Sequence, residues 1–555
     1  MKQELERAVA SSVKDLFDIK MAIELTRPDE QFGDYATNVA LQLAKQIGQN
    51  PRQIAEAIRT HLLSLQGEAL QKIEVAGPGF LNLTLSDRAL IMAASEQAPK
   101  SLVGKVVVAE YSDPNPFKVL HAGHLYTSVV GDAIANLLQN AGATVHRVNF
   151  GGDVGLHVGK TIWAILNDLG GEIPDKLADI PESERSEWMA KCYVAGTNAY
   201  EDDETAKIKI IELNKQIYQI NNEADHDSPL AQIYWTCRQW SYDYFDAFYA
   251  RIGTKFEKYY PESSVAGLGL KTVQEQLEKG VFERSDGAVV FKGEPYSLHT
   301  RVFINHEGIP TYESKDVGLI MQKWVDYHFD RSVVITGNEQ KQYMAVVLKA
   351  VEQFEPKLVA ATSHLTHGLV KLVGGVKMSS RKGNILRAVD VLDAAASADQ
   401  ELTGHGSEST VLGAVKYAFL RVRMGGDIIY DPTESVSLEG NSGPYLQYAH
   451  ARARSILAKA KVEGVEIKDL QPGERSLLRK ISEFPEVIQQ ATTDLMPHYI
   501  CTYLYELAQT FNRFYENNRV IGDDREPTRL NLVGKYAMTL KNGLNLLGIV
   551  APERM

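Results

Sequence analysis

Cysteine is scarce in this sequence: three occur in 555 residues, Cys192, Cys237 and Cys501, far apart along the chain. They offer no CxxC pair and no zinc-ligand spacing. That excludes a disulfide scaffold, leaves no structural zinc to expect, and makes a reducing, cytoplasmic setting the default. Long apolar runs are also missing, so no membrane association is expected. The opening residues, Met1-Lys-Gln-Glu-Leu-Glu6, carry charge where a secretory signal needs an apolar stretch. An excess of basic charge is absent as well. The chain has 59 Lys+Arg against 71 Asp+Glu, net −12, which argues against a uniformly basic nucleic-acid binder.

The charge that is present is unevenly spread. From Asn441 to Met555 there are 15 Lys+Arg and 13 Asp+Glu, a balance of +2 that leaves −14 for the remainder. A mildly basic end suits a polyanion, and an acidic remainder suits a cationic substrate or a solubilising surface. The length asks for three or four domains.

Residues 1–103 read as a small α+β unit, with amphipathic helices at Leu41–Lys45 and Pro51–Leu65 and an alternating strand at Phe80–Leu85. A doubly wound α/β unit of the Rossmann type follows over 104–385. It shows a short apolar strand (Val106–Tyr111), a turn rich in Asp and Pro, a helix over about 123–140 and a strand at Val145–Phe150. The stretch from about 174 to 279 is polar and helical and reads as an insertion. Strand-like runs return at Ala288–Phe291, Arg301–Ile304 and Ser332–Ile335. A helical connecting region spans 386–440. Asn441-Ser-Gly-Pro444 is a break point, and 441–555 reads as an all-α bundle.

Two segments carry chemistry. His121-Ala-Gly-His124 follows a strand and turn and opens a helix, where an α/β sheet offers backbone N–H groups and a positive dipole end to phosphate. Gly123 lets a nucleotide approach the backbone. His121 and His124 share one helical face and can donate hydrogen bonds to charge developing on an α-phosphate. Lys377-Met-Ser-Ser-Arg-Lys-Gly-Asn384, preceded by Gly374-Gly375, is a polar loop of cations and hydroxyls suited to β- and γ-phosphates. Taken alone, such a loop is ordinarily just solvated; its order after the first segment is what gives it meaning.

With these segments the chain resembles the class I aminoacyl-tRNA synthetases, and within them the arginyl enzymes. The specific text is Glu110-Tyr-Ser-Asp-Pro-Asn-Pro-Phe-Lys-Val-Leu-His-Ala-Gly-His-Leu125, Asn149–Gly155, Thr311–Gly318 and the ending Leu546–Met555. Phe32–Asn38 and Gly77–Asn82 look like that family's added N-terminal domain. The resemblance implies an ATP- and Mg²⁺-dependent arginine–tRNA ligase. In that reaction arginyl-adenylate and pyrophosphate form first, and arginine then passes to the terminal adenosine of tRNA(Arg). It also implies an N-terminal domain that touches tRNA, a 386–440 region on the acceptor stem, and an anticodon-binding bundle at 441–555.

The same resemblance assigns roles. Glu110 and Asn115 would hold the α-amino side of arginine. Tyr312 and Asp316, four apart on one helical face, would face the guanidinium, with Gln340 nearby. A guanidinium needs acceptors, carboxylates above all, although either carboxylate can equally sit in a structural ion pair. Adenine would meet main-chain atoms of His367 and Gly368; Gly123, Met378 and Ser380 complete the ATP set. The family's usual second loop lysine is replaced here by Ser380, and Lys118, three residues before His121, would supply that cation beside Lys377, with Arg381 and Lys382 as competitors. Asn82 and Tyr515 would reach tRNA, Tyr515 either stacking on an anticodon base or serving the helix core.

Other readings make different demands. The small HxGH nucleotidyl transferases lack a long helical C-terminus, and cysteinyl synthetases would show zinc-ligand cysteines. A non-catalytic RNA-binding relative would have lost His121, His124 or Lys377, and all three are present. The size suits a monomer.

Overall fold

The computed structural model describes residues 1–65, 68–373, 386–462 and 465–555. In the N-terminal unit, helix α1 (Lys2–Phe17) precedes strand β1 (Tyr35–Thr37), α2 (Val39–Ile47), α3 (Pro51–Leu65), β2 (Leu70–Ala76), β3 (Phe80–Leu85) and α4 (Asp87–Ala93). The strands form an antiparallel sheet in the order β1-β3-β2. Its core is the apolar stripe of α1 (Leu5, Val9, Val13) set against that of α3 (Ile54, Ile58, Leu62).

The central unit is a five-stranded parallel sheet. Its strands are β4 (Val106–Glu110), β5 (Thr144–Gly151), β6 (Lys258–Pro261), β10 (Arg331–Gly337) and β11 (Thr362–His367), in the order β11-β10-β4-β5-β6. Val107, Val108 and Ala109 are fully buried, as a strand covered by helices on both faces requires. Helix α5 (Ala122–Asn140) crosses from β4 to β5, and the chain later returns to β10 on the other side of β4. This reversal opens a crevice at the carboxyl ends of β4 and β10.

After α6 (Leu156–Leu169) the expected insertion appears as α7 (Arg185–Asp202), α8 (Glu204–Glu223) and α9 (Pro229–Ile252). The stretch 174–279 is not helical throughout, because the edge strand β6 falls inside it and pairs with β5, ahead of α10 (Glu262–Glu278). Four residues carry too little pattern to reveal a strand. The runs at 288–291 and 301–304 are strands, but as β8 and β9 they pair antiparallel beside β7 (Glu283–Ser285) in a separate sheet. Helices α11 (Tyr312–Tyr327) and α12 (Lys341–Glu352) flank β10.

Beyond β12 (Val370–Leu372) come α13 (Ala388–Thr403), α14 (Glu408–Leu420) and β13 (Ile428–Tyr430), which pairs parallel with β12. The C-terminal bundle is α15 (Gly443–Lys459), α16 (Pro472–Ser482), α17 (Phe484–Asp494), α18 (His498–Asn517) and α19 (Glu526–Leu546). The break at 441–444 is a helix start: Ser442 Oγ accepts the Tyr445 N–H at 3.1 Å. The bundle is nevertheless joined closely to what precedes it, since a Cβ on Gly443 would lie 2.1 Å from the Gly413 carbonyl oxygen. The N-terminal unit docks on α16 and α17 through Arg475 to Asp34 (2.6 Å) and Asp87 (2.8 Å), and Arg27 to Glu486 (2.6 Å).

Candidate active site

His121 is the N-cap of α5, and its ring closes a reciprocal cap with His124. The His124 N–H donates to His121 Nδ1 at 3.3 Å, and the His121 N–H donates to His124 Nδ1 at 3.2 Å. The rings stack with centroids 3.6 Å apart. Each Nδ1 therefore presents a lone pair, which leaves the proton of each neutral imidazole on Nε2. Electrostatics agree. Burial in the cleft, then the nearby Lys118 charge, push His121 down to about 4, and burial with His121 and Lys118 nearby pushes His124 well below its ordinary value. By accessible surface His121 is exposed and His124 is half-buried. Gly123 makes the cap sterically feasible, because a Cβ there would meet His121 Cε1 and Nδ1 at 2.9 Å.

Lys118 stands beside this pair. Burial lowers its ammonium to about 8, opposed by the charge of Glu262. Its Nζ sits over the Tyr193 ring, 5.0 Å from the centroid. On the other side of the α5 turn, Thr127 Oγ1 lies 2.7 Å from the Gly123 carbonyl oxygen and 2.7 Å from His367 Nε2. His367 is buried, and its Nδ1 donates to the Gly368 carbonyl oxygen at 2.8 Å. Its side chain thus ties the end of β11 to the α5 turn. At Gly368 a Cβ would come within 2.3 Å of the Gly426 carbonyl oxygen, so two backbones touch there.

An acidic pocket adjoins the turn. Glu110, at the end of β4, is buried and paired with the buried Lys323 of α11, so the competing ion pair is present at this position. Glu262, at the start of α10, pairs with the buried Lys315 at 2.6 Å, and Lys315 also donates to the Tyr218 hydroxyl at 3.0 Å. Asp316 has no ion pair among the described residues; the Tyr343 hydroxyl donates to it, and the Lys323 charge reaches it from the Glu110 pair. Burial raises Asp316 to about 8, with the Glu110 and Glu262 charges adding to the rise and Tyr343 opposing it. Asn115 Oδ1 accepts the Gly152 N–H at 2.7 Å, fixing the loop after β5. Tyr312 opens α11 with an exposed ring, one turn before Asp316. Gln340 is exposed in the turn after β10, also at the carboxyl end of the sheet.

The remaining expected residues lie elsewhere. Lys377, Met378 and Ser380, with Arg381 and Lys382, are outside the described residues. Asn82 is buried on β3, and among the described residues no hydrogen bond or ion pair joins its side chain to the parallel-sheet unit. Tyr515 is half-buried on α18, with the Arg452 guanidinium 4.7 Å over its ring and Phe511 stacked beside it. The sequence reading missed Lys315, Lys323, Glu262, Tyr343 and Tyr193. Only Lys315 lay inside a segment it had singled out, Thr311–Gly318.

A histidine-capped helix at the switch point of a parallel sheet, beside a carboxylate pocket and followed by a helical bundle, defines a class I aminoacyl-tRNA synthetase. Three family models match in series: "Arginyl tRNA synthetase N terminal domain" over 1–85, "tRNA synthetases class I (R), catalytic domain" over 87–415 and "DALR anticodon binding domain" over 446–555. The chain belongs to the arginyl-tRNA synthetase family. It is 29% identical to an arginine–tRNA ligase of Porphyromonas gingivalis, covering 100% of this chain and 99% of that one. It is 30% identical to an arginine–tRNA ligase of Fusobacterium nucleatum over the same shares. The solved arginyl-tRNA synthetase of Thermus thermophilus superimposes with a TM-score of 0.82 at 25% identity, covering both chains completely.

Proposed function

We propose that this chain, an arginine–tRNA ligase, makes arginyl-adenylate at the carboxyl end of its parallel sheet and then passes arginine to the 3′-terminal adenosine of tRNA(Arg). The observation that carries the division of labour is the reciprocal His121–His124 cap. It fixes two Nε2–H donors beside the helix N-terminus, preorganised for charge that develops on the α-phosphate as the arginine carboxylate attacks. Because both imidazoles are neutral, they stabilise that charge by hydrogen bonding. The full positive charge comes from Lys118, which takes the place of the second lysine missing from the Lys377 loop. Lys377, Met378 and Ser380 serve the β/γ end, and Gly123 with the backbone of His367 and Gly368 serves the nucleoside. Magnesium would arrive on the nucleotide's phosphates and add charge neutralisation there.

In the acidic pocket, Asp316 and Tyr312 take the guanidinium, with Gln340 at the rim. Glu110 and Asn115 take the α-amino side, Glu110 while also holding Lys323. Buried Glu262 supports the same field through Lys315. The tRNA lies along the N-terminal unit, where Asn82 is placed, and the bundle that carries Tyr515. Between these two units a groove of about 620 Å³ is lined by Arg27, Arg479, Lys480 and Arg513 and by as many carboxylates, Asp29, Glu30, Glu483 and Glu506, so it is a mixed polar surface rather than a basic one. The protein works as a cytoplasmic monomer. The decisive assay is tRNA-dependent incorporation of each labelled amino acid in turn. Arginine alone should be charged, and charging with any other would overturn the substrate assignment.

A further inference from the structure

The geometry points to Tyr193, on the inserted helix α7, as the residue that positions Lys118 for the nucleotide's phosphates. The inference rests on the reading of Lys118 given above. Lys118 has no hydrogen bond or ion pair among the described residues, and its Nζ lies 5.0 Å from the Tyr193 ring centroid. The charged and titratable groups facing it are His121 and His124 on its own turn and helix, His157 on α6 and Glu262 on α10. The three imidazoles are held neutral by burial, and Glu262 is engaged by Lys315 at 2.6 Å. Beyond the Glu262 charge, which favours the ammonium from a distance, the π-face of Tyr193 is the direct contact described for Lys118. A cation over an aromatic face is attracted by the ring quadrupole, most strongly where water is excluded.

The helix that carries Tyr193 is packed closely against its neighbours. A Cβ on Gly196 would lie 1.9 Å from the Lys160 carbonyl oxygen, and one on Gly159 would lie 2.9 Å from the Ile210 carbonyl oxygen. Helix α6 therefore meets α7 and α8 backbone to backbone. Tyr193 is one turn before Gly196, on the face of α7 that makes this contact. The insertion that separates β5 from β6 thus reaches back into the site and supplies one wall of it. Without the ring, the free Lys118 ammonium would be easier to discharge, since burial already lowers it to about 8.

The test is tRNA-supported ATP–pyrophosphate exchange, read as kcat/KM for ATP across pH, on Tyr193→Phe, Tyr193→Leu and Lys118→Ala. Tyr193→Phe should stay within about threefold of the parent. Tyr193→Leu should fall about tenfold, with the alkaline limb moving down by about one pH unit, as loss of one cation–π contact in a desolvated site requires. In the Lys118→Ala background, Tyr193→Leu should add less than about twofold, because the ring acts through the lysine. Pentafluorophenylalanine at 193 keeps the shape of phenylalanine but reverses the ring's electrostatics. It should behave like Leu, and this comparison also decides the matter if Tyr193→Leu does not fold. A pentafluorophenylalanine variant as active as Phe, or a Leu effect that is undiminished without Lys118, overturns the role of Tyr193. Near-normal exchange by Lys118→Ala would instead overturn the reading of Lys118 itself.

Discussion

Gly123→Ala separates activity from stability at the centre of the site. The added Cβ would lie 2.9 Å from two atoms of the His121 ring, closer than a carbon tolerates, so the ring must swing away. The cost to folding is small. Losing the N-cap interaction destabilises by about 1 kcal/mol, and replacing a helical glycine by alanine returns about 1 kcal/mol. The cost to catalysis is not offset in this way. Moving the ring breaks both Nδ1 contacts, frees the His124 tautomer and removes at least one preorganised Nε2–H donor. One such donor is worth about 3–4 kcal/mol, or 10²–10³ in rate. Gly123→Ala should therefore lower kcat for exchange by about 10²–10³ while its thermal midpoint stays within about 3 °C of the parent. An alanine variant with kcat within about threefold of the parent would refute the argument that the reciprocal cap presents the catalytic donors. A large drop in midpoint would show that the cap is chiefly structural.

Other outcomes follow from the same geometry. Lys118→Ala should cut adenylate formation at least tenfold, about 1.4 kcal/mol, measured by pyrophosphate exchange. In the parent, the Lys118 charge is present below about pH 8 and lost above it, so kcat/KM for ATP should fall on the alkaline side; His121, already neutral above about 4, should contribute no limb between pH 5.5 and 7. Glu110→Ala leaves Lys323 buried without its carboxylate and should cost about 3–5 kcal/mol in chemical denaturation, which an exposed ligand-only carboxylate would not. Tyr515→Ala should weaken tRNA charging without unfolding the bundle if the ring serves RNA; unchanged charging in a folded variant assigns it to the Arg452–Phe511 contact alone.

How much of this was legible depends on the range of each interaction. Helices with a sustained apolar stripe, such as Pro51–Leu65, and buried runs of β-branched residues, such as Val106–Glu110, declare themselves locally. So did the helix start at His121, because strand, turn and helix follow one another directly in the chain. Lys258–Pro261 did not, since four residues become a strand only by lying beside β5. The site divides in the same way. His121, His124 and Gly123 are neighbours in sequence, and their spacing carried their meaning. Lys323 comes more than two hundred residues after Glu110, and Tyr343 and Asp316 sit on different helices, so only folding reveals who partners whom. A lone carboxylate in a sequence cannot announce whether a lysine will reach it first. Among the carboxylates read as arginine ligands, one did acquire a lysine and the other did not.

That difference makes a prediction about arginine itself. Glu110 has Lys323 and Glu262 has Lys315, so each buried charge is answered within the protein. Asp316 has the Tyr343 hydroxyl as its hydrogen-bond donor and feels Lys323 only at a distance, and it is raised to about 8 by burial and the neighbouring carboxylates. At pH 7 Asp316 is therefore mostly protonated in the protein by itself. A guanidinium arriving beside it supplies the missing cation and favours the charged form, so the proton must leave. Arginine binding at pH 7 should release close to one proton, and the affinity should rise with pH up to about 8, by up to about tenfold per pH unit below that point. Titration calorimetry in buffers of different ionisation enthalpy reads the proton directly. Asp316→Asn, which has no proton to give, should bind arginine weakly and with no dependence on the buffer. A parent protein whose binding enthalpy is the same in every buffer would show that Asp316 is already ionised before arginine arrives, and that another group meets the guanidinium.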